Sequence, residues 1–344
     1  MFYKLSTEKS VKEILIVSLT NIGDVIAVAP SMDVVLNDFP QANVSVIVGP
    51  KGRSLFDQNP HLKRVFVYDK HASNHEKLAW VQGLRSVRYD AVIDFRNSFL
   101  PFLLQTKTRT PPQMGNSKNL HLVDKHLLRL KTIYPFSKRP DLRKSIAILP
   151  KDRDYVDALL RGYIKPGDQF VLIAPVAQDS AKTWNTLNFA QVCDGLIDRY
   201  GLKVVMVGSD ENKSTMDEIQ SQMKRSFLAL PGQTDLIQVA EILNRALFSI
   251  VHDSGIMHMA SYFDRQVLAL FGKTDPRLSG PWSKGSGYIW KNQSCQRCVS
   301  RDQKYKHSCM SAITHEDVLN SIVVQDKSVL IKTIHQPCEN FKMS

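Results

Sequence analysis

Short runs of β-branched and aliphatic residues alternate with longer amphipathic stretches, and this alternation restricts the possible fold more than any other sequence feature. Each short run is typical of a buried strand, and each longer stretch repeats its apolar residues with a helical period. Strands separated by helices form βαβ units with parallel strands, so we predict an α/β fold. The expected strands are 13–19, 44–48, 64–68, 91–94, 170–174, 203–208 and 248–252.

The alternation is interrupted once, after residue 94, by a proline-containing and less periodic stretch. A chain of 344 residues is long enough for two domains of about 100–200 residues each. A connecting helix is expected over 151–163, ending at Lys165-Pro166-Gly167. We therefore predict two Rossmann-like, doubly wound parallel-sheet domains, 1–160 and 161–344, facing a central cleft. The sequence leaves open whether the last helix packs back on the first domain.

Positive charge is concentrated in one part of the chain. Lysine and arginine outnumber aspartate and glutamate by 45 to 33, so the net charge is +12. Between Phe99 and Ser145, here called the basic stretch, ten basic residues and two acidic residues contribute +8 of that excess. This surplus favours an anionic partner: nucleic acid, a phosphorylated small molecule or a membrane surface. Nucleic acid is disfavoured, because the sequence shows no recognition helix rich in base-reading residues.

Nothing in the sequence predicts a membrane-spanning segment or a signal peptide. No apolar run approaches the ~18–20 residues that span a bilayer, and the N-terminal residues lack the apolar core of a signal peptide. We expect a soluble, cytoplasmic protein.

Asn21-Ile-Gly-Asp24 follows the first expected strand and opens the first expected helix. Gly23 permits a tight turn, and ligands of open parallel sheets bind where strands end and helices begin. A carboxylate at Asp24 could act as a general base. The alternative is that Asp24 only caps its helix.

Asp253-Ser254-Gly255 follows a strand in the second half, and His258 lies one turn into the next helix. Ser254 can cap this helix, Gly255 allows a ligand to approach the backbone, and the first amides could bind a diphosphate. The alternative for His258 is a packing role on a half-buried helix face.

Lys182 lies in a polar loop between a strand and a helix, where its ammonium could neutralise a phosphate leaving group. A solvated surface lysine is the alternative. Neither a P-loop pattern nor a G-x-G-x-x-G pattern after the first strand is present, which disfavours a P-loop NTPase and a dinucleotide enzyme.

The five cysteines are an odd number, which argues against a disulfide framework. Cys295, Cys298 and Cys309, together with His307, have part of the spacing of a zinc ligand set. A second close cysteine pair is absent, so the alternative is a cysteine-bearing loop, and our prediction includes no metal.

These positions resemble the bacterial lipopolysaccharide heptosyltransferases, which are GT-B enzymes of glycosyltransferase family 9. The resemblance spans nearly the whole chain and rests on several segments in order. They are Ile14–Val25, Tyr89–Asp94, Lys182-x-Trp184, Asp253–Ala260, Ala269–Pro276, Gly280-Pro281, Cys295-x2-Cys298 and Cys309–Ile313.

The resemblance implies the GT-B fold and an inverting displacement at the anomeric carbon of ADP-heptose, without a cofactor. Asp24 would be the general base, and Lys182 would stabilise the leaving diphosphate. The remaining implied substrate-binding residues are Asn21, Gly23, Gly208, Glu211, Asp253, Ser254, Gly255 and His258. In metal-independent GT-B enzymes, fixed cations and helix N-termini act on the leaving group.

The resemblance also implies an anionic, lipid-linked glycan of the lipopolysaccharide inner core as the acceptor. The basic stretch, in the acceptor-side half, would then attract the enzyme to the inner face of the cytoplasmic membrane as a peripheral protein. Two alternatives stay open: a family 9 enzyme that uses another nucleotide sugar for a different surface glycan, and a non-catalytic nucleotide-sugar-binding protein.

Overall fold

Two parallel sheets form the centres of two compact units of the chain, Met1–Ala147 and Ile148–Ser344. The residues described by the computed structural model are 4–6, 11–112, 119–138, 140–179, 182–291, 310–325 and 328–336.

The first unit contains a five-stranded sheet. Its strands are β1 (Glu13–Val17), β2 (Asn43–Val48), β3 (Arg64–Val67), β4 (Tyr89–Asp94) and β5 (Thr106–Arg109). They pair in the order β3-β2-β1-β4-β5, and every pairing is parallel. The central strand β1 is almost fully buried because helices and connections cover both faces, as expected for an all-parallel sheet.

Helices connect these strands. They are α1 (Ile22–Asp38), a 3-10 turn (Pro50–Leu55), α2 (Asn74–Arg85), α3 (Leu100–Leu103) and α4 (Leu122–Lys131). The apolar composition of α1 buries almost its whole length, and α4 packs against it. The basic stretch, whose sequence is proline-containing and less periodic, contains α3, β5 and α4.

A buried carboxylate fastens the last part of the first unit to α1. Asp33 accepts hydrogen bonds from the Lys144 amide at 2.8 Å, the Ser145 amide at 2.8 Å and the Ser145 hydroxyl at 2.7 Å. The side-chain amide of Asn59 donates to the Lys144 and Ser145 carbonyls at 2.8 and 2.7 Å. These bonds pair the backbone of an otherwise irregular segment.

The second unit contains a seven-stranded sheet. Its strands are β6 (Phe170–Ala174), β7 (Lys203–Gly208), β8 (Leu228–Pro231), β9 (Phe248–His252), β10 (Val267–Phe271), β11 (Gly287–Lys291) and β14 (Ile334–Gln336). The order is β14-β11-β10-β9-β6-β7-β8, again entirely parallel. A separate antiparallel pair joins β12 (Ile322–Gln325) and β13 (Ser328–Ile331).

The helical elements of this unit are α5 (Pro150–Leu160), α6 (Thr186–Tyr200), a 3-10 turn (Asp210–Asn212), α7 (Lys213–Gln222), α8 (Leu236–Arg245), α9 (Gly255–Tyr262), α10 (Pro276–Ser279) and α11 (His315–Asn320). All seven strands predicted from sequence are present across the two units, so the predicted α/β class is confirmed.

The connecting helix α5 belongs to the second unit, so contacts divide the chain at 147/148 rather than at the expected 160/161. The reason is its packing on α8. Arg245 of α8 pairs with Asp157 and donates to the Arg153 carbonyl at 3.2 Å, and the Tyr155 hydroxyl donates to the Gln233 carbonyl at 2.8 Å. Proximity in sequence to the preceding domain did not reveal these contacts.

The last described helix, α11, packs on α6 within the second unit. The contact is close at Gly195, where a Cβ atom would lie 2.7 Å from Cδ1 of Leu319. The described chain then ends in β14, on the edge of the seven-stranded sheet. Residues 337–344 lie outside the described residues, and packing of the last helix on the first domain stays a prediction.

We expect Asp33→Ala to lower the stability of the first unit by about 2–4 kcal/mol, because buried donors lose their acceptor. Hydrogen–deuterium exchange of β1 peptides measures the opening free energy of this unit. Asp57→Ala, which removes an exposed pair with Arg53, should change it by less than about 1 kcal/mol. Equal effects of the two substitutions would contradict the proposed contribution of Asp33.

Candidate functional site

The carboxyl ends of β6, β9 and β10 place three loops side by side at one edge of the second sheet. Ala174 of β6 pairs with Val251 of β9, and Leu270 of β10 pairs with His252. The chain runs from β6 outward to β7 and β8 on one side, and β9 lies on the other side of β6. Such a change of direction is where open α/β sheets bind ligands.

An ion pair joins two predicted site residues at this edge. The Lys182 ammonium lies 2.6 Å from the Asp253 carboxylate, and the Thr274 hydroxyl donates to the same carboxylate oxygen at 2.6 Å. The side chains of Lys182 and Asp253 are 20% and 9% exposed. The alternative of a freely solvated Lys182 is therefore wrong: the lysine is partly buried and positioned by the loop after β9.

A second connection fixes the loop that carries Lys182. The backbone amide of Trp184 donates to Nε2 of His252 at 3.0 Å, and the Trp184 indole donates to the Ile313 carbonyl at 2.9 Å. Burial lowers the pKa of His252 to about 3, although the neighbouring Asp253 carboxylate acts to raise it. His252 is therefore a neutral acceptor that attaches the loop to β9, a role that the sequence did not reveal.

Ser254 is the N-cap residue of α9 and has extended backbone geometry. Its Oγ atom is buried and has no hydrogen-bond partner among the described residues. A buried, unpaired hydroxyl normally requires an explanation. Here it lies beside the first amides of α9, where a helix attracts anions. Ser254 and Gly255, which begins the helix, together form a candidate phosphate site next to the Lys182–Asp253 pair.

His258 is buried, and its ring packs against Trp282 with centroids 5.4 Å apart and planes inclined by 32°. It follows the candidate phosphate site by one helical turn. The packing observed is the structural alternative considered from sequence, and contact with a ligand stays a prediction.

The loop after β10 contributes residues that the sequence analysis missed. Besides Thr274, Lys273 forms a 2.6 Å ion pair with Asp179, which lies in the loop after β6. The Lys-Thr pair, one glycine after a buried strand, was the signal that could have identified them, because it occupies the same sheet edge as Asp253.

Gly208 ends β7, and its position has a structural explanation. A Cβ atom there would lie 2.6 Å from Oδ1 of Asn212, whose side chain accepts from the Ser209 amide at 2.9 Å. Glu211 lies in the following 3-10 turn and is exposed. Both residues are at the carboxyl edge of the sheet, and their contact with a nucleotide stays a prediction.

In the first unit, Asn21 is the N-cap residue of α1 and Asp24 lies in the first turn. The Asn21 side-chain amide donates to the Asp24 carboxylate at 3.1 Å, and both side chains retain access to solvent. Asn21 occupies the cap position and Asp24 lies in the first turn, where a carboxylate also favours the helix N-terminus, so the helix-end role and the base role of Asp24 both stay predictions. The carboxylate of Asp24, oriented by Asn21 and placed beside Gly23, is accessible at the carboxyl end of β1.

The buried residues Asp94 and Arg129, beside the turn that carries Asp24, were not predicted from the sequence. Asp94 ends β4, and its carboxylate accepts from the Arg96 and Ser98 amides at 2.8 and 2.6 Å. Buried Arg129 of α4 donates to the Asp94 carbonyl and to Oδ1 of Asn97, which has a φ of 58°. These bonds fix a loop next to β1 and present Arg96 at the same edge as Asp24.

The weak metal candidates Cys295, Cys298, His307 and Cys309 lie outside the described residues. Within the described ranges, no group of three or more potential His, Cys, Asp or Glu ligands could hold a metal ion. The same ranges contain no helix that is both long and apolar enough to cross a bilayer.

Comparisons with known proteins agree on one family. The model of glycosyltransferase family 9 (heptosyltransferase) matches residues 138–308. Lipopolysaccharide heptosyltransferase 3 of Escherichia coli K12 is 24% identical over 330 residues, covering 86% of this chain and 93% of the relative.

Two solved structures share the fold. The family 9 glycosyltransferase of Veillonella parvula has a TM-score of 0.78 and 21% identity, covering 93% of this chain and 97% of its own. The E. coli ADP-heptose lipopolysaccharide heptosyltransferase II has a TM-score of 0.71 and 20% identity, covering 90% and 96%. Together with the two parallel sheets, these similarities confirm the predicted GT-B fold class.

The buried histidines predict a pH dependence of stability. Burial, with repulsion from Lys125 and Arg129, lowers the pKa of His126 to about 4, and that of His252 is about 3. A histidine in the unfolded chain has a pKa of about 6.5. Below pH 6.5 the unfolded state therefore binds more protons than the folded state. As the pH is lowered through this range, the free energy of unfolding should fall by up to ~1.4 kcal/mol per pH unit per histidine.

Urea unfolding between pH 7.5 and 5 measures this slope. His252→Gln should reduce the slope of the free energy of unfolding against pH by the contribution of about one proton. His75→Gln, at an exposed position of α2, is the matched control. An unchanged slope in His252→Gln would show that His252 is not the neutral buried group described here.

Proposed function

Since the chain belongs to glycosyltransferase family 9, we propose that it is an inverting glycosyltransferase that moves heptose from ADP-heptose to a sugar hydroxyl of the lipopolysaccharide inner core. The relatives named above, a lipopolysaccharide heptosyltransferase 3 and an ADP-heptose heptosyltransferase II, support this donor and acceptor. The likeness extends over most of each chain.

The observation that carries the proposal is the Lys182–Asp253 ion pair beside the unpaired Ser254 hydroxyl at the first turn of α9. A diphosphate bound there would accept hydrogen bonds from Ser254 and from the α9 amides. Its negative charge would increase as the bond to the sugar breaks, and the nearby ammonium favours that change. Gly208 and Glu211 are proposed to lie along the nucleotide, and His258 along the diphosphate or sugar.

The proposed reaction is a direct displacement. The acceptor hydroxyl oxygen forms a bond to the anomeric carbon while the bond from that carbon to the diphosphate oxygen breaks. Asp24 takes the hydroxyl proton, and ADP leaves with the bonding electron pair. Asn21 orients the Asp24 carboxylate through its side-chain amide, and Gly23 leaves room for the acceptor at the turn.

No metal ion is required in this scheme, because Lys182 and the N-terminal amides of α9 compensate the charge of the leaving group. The anionic acceptor would approach the first unit, where the basic stretch provides long-range attraction. The enzyme would act as a peripheral protein at the cytoplasmic face of the inner membrane, where a lipid-linked acceptor is accessible.

Asp24→Asn should lower heptosyl transfer by about 10²–10⁴-fold, because it removes the proton acceptor while keeping the shape of the side chain. Asp57→Asn, in an exposed ion pair of the same unit, is the matched control. Transfer from ADP-heptose to an acyl-free core acceptor is measured by mass spectrometry, and ADP affinity by calorimetry.

Retained ADP affinity with lost transfer would support Asp24 as the base. Full transfer by Asp24→Asn would refute that role. Transfer from a UDP- or GDP-sugar in place of ADP-heptose would identify another family 9 donor, and tight nucleotide binding without transfer from any donor would indicate a binding protein.

Lys182→Gln should weaken transfer by about 10²–10³-fold, because it removes the fixed charge opposite the leaving diphosphate. Lys213→Gln is the control, since Lys213 forms an exposed ion pair with Asp217 in the same unit. Single-turnover rates and ADP affinities of both variants are compared with the wild type. A similar loss in both variants would mean that the position of Lys182 at the sheet edge has no special effect.

A further inference from the structure

Three large apolar side chains lie exposed together in the first unit. Phe99, Phe102 and Leu103 are 85%, 47% and 53% exposed, and they lie within one turn of chain at α3. We call them the apolar patch. Leaving several large apolar side chains adjacent and in water is unfavourable, and such patches mark interaction sites.

The short helix α3 is attached to the unit by its other side. Pro101 and Leu104 are buried, and Leu100 packs against the core formed by residues of β1, β2 and β4. The packed residues of this segment are interspersed with the exposed ones. The packed residues hold α3 against the unit, and the apolar patch faces solvent. These exposed side chains are therefore not remnants of an incompletely packed core.

Positive charge adjoins the apolar patch. The Arg109 guanidinium lies over the Phe102 ring, 5.2 Å from its centroid. Between Asp94 and Asp124 the sequence contains four lysines and arginines and no carboxylate. Asp94 itself is buried, and its carboxylate accepts hydrogen bonds from its own loop. Lys107, two residues before Arg109 in β5, forms a 2.6 Å ion pair with Asp90, so the positive charge at the apolar patch is assigned to Arg109 rather than to Lys107. Aromatic side chains bordered by arginine fit the boundary between acyl chains and anionic headgroups.

The apolar patch also begins at the functional edge of its sheet. Phe99 follows the fixed loop after β4, and β4 is the direct neighbour of β1, whose carboxyl end leads to Asp24. Arg109 is the last residue of β5, at the same edge. The apolar patch thus starts at the edge that leads to Asp24 and extends along the sheet towards its other edge, where the Gln105 carbonyl accepts from the amide of Tyr89, the first residue of β4.

We propose that α3 is a membrane-docking element, in which the apolar patch inserts into the interface of an anionic phospholipid bilayer and Arg109 contacts lipid phosphates. The inference rests on the proposed function in one respect, since a lipid-linked acceptor gives the docking its purpose. The binding itself requires neither donor nor acceptor. Increasing salt weakens the contribution of Arg109 and leaves the apolar contribution in place.

Co-sedimentation of the full chain with vesicles tests the proposal. One set of vesicles contains phosphatidylglycerol and phosphatidylethanolamine, and the other contains phosphatidylcholine alone. The wild type should bind the anionic vesicles more tightly. Phe99→Ser/Phe102→Ser should lower the partition coefficient at least about tenfold, equivalent to ~1.4 kcal/mol. Leu330→Ser, at a 58% exposed position of β13 in the second unit, should leave it unchanged.

Circular dichroism and ADP affinity verify that the double variant is folded. Arg109→Gln should reduce binding several-fold on anionic vesicles and have little effect on phosphatidylcholine vesicles. Wild-type protein that does not bind anionic vesicles, or a folded double variant that binds them as tightly as the wild type, would overturn the proposal. So would a concentration-dependent dimer, seen by analytical ultracentrifugation, that the double substitution abolishes, because the apolar patch would then bind a second copy.

Heptosyl transfer separates this inference from the proposed function. The double variant should retain wild-type turnover on a soluble, acyl-free acceptor and lose turnover on an acceptor embedded in vesicles. Vesicle binding without transfer to either acceptor would refute the proposed function and leave membrane docking intact. Equal transfer by both proteins to the embedded acceptor would refute docking through the apolar patch.

Discussion

The parallel pairing of β6 with β9 is the constraint on which the second unit's site depends. Their register brings Ala174 opposite Val251, so the loops that follow leave the sheet together. The Trp184 amide can then reach His252, and Lys182, two residues earlier in the chain, can reach Asp253. A shift of one residue in a strand would turn every side chain to the other face and separate these partners. The register of the core thus determines the position of a charge at the surface.

The buried polar groups explain why this arrangement orients residues more than it stabilises the fold. Removing an ion pair from water costs free energy that the mutual attraction of the charges only partly compensates. The Lys182–Asp253 pair, supplemented by Thr274, therefore contributes a fixed direction for the ammonium. In the first unit, Asp94 and Arg129 fix the loop beside Asp24 in a similar way. A preorganised charge needs little rearrangement when negative charge develops on a substrate.

The sequence predicted the elements whose signal is local. β1 and β9 are runs of apolar residues, and the turns after them carry Asp24 and Ser254, so both strands and both turns could be located from short segments. Contacts between distant residues could not be predicted in this way. Arg129 lies 35 residues from Asp94, and Trp184 lies 68 residues from His252.

The domain boundary illustrates the same limit, because α5 has a clear helical period but its partner α8 lies far along the chain. The proline-rich composition of the basic stretch likewise concealed β5, whose signal as a four-residue edge strand is weak. Periodicity identifies an element, and tertiary packing decides which domain it joins. Residue types with distinctive chemistry at the ends of strands were therefore the most informative signal for the candidate site.

Hydrogen–deuterium exchange of the full chain with and without ADP shows where the diphosphate binds before any reaction occurs. Diphosphate binding at the first turn of α9 predicts slower exchange of the first amides of α9 and of the loop that carries Lys182, with no change in α4. ADP binding that leaves the amide exchange at the start of α9 unaltered would contradict it.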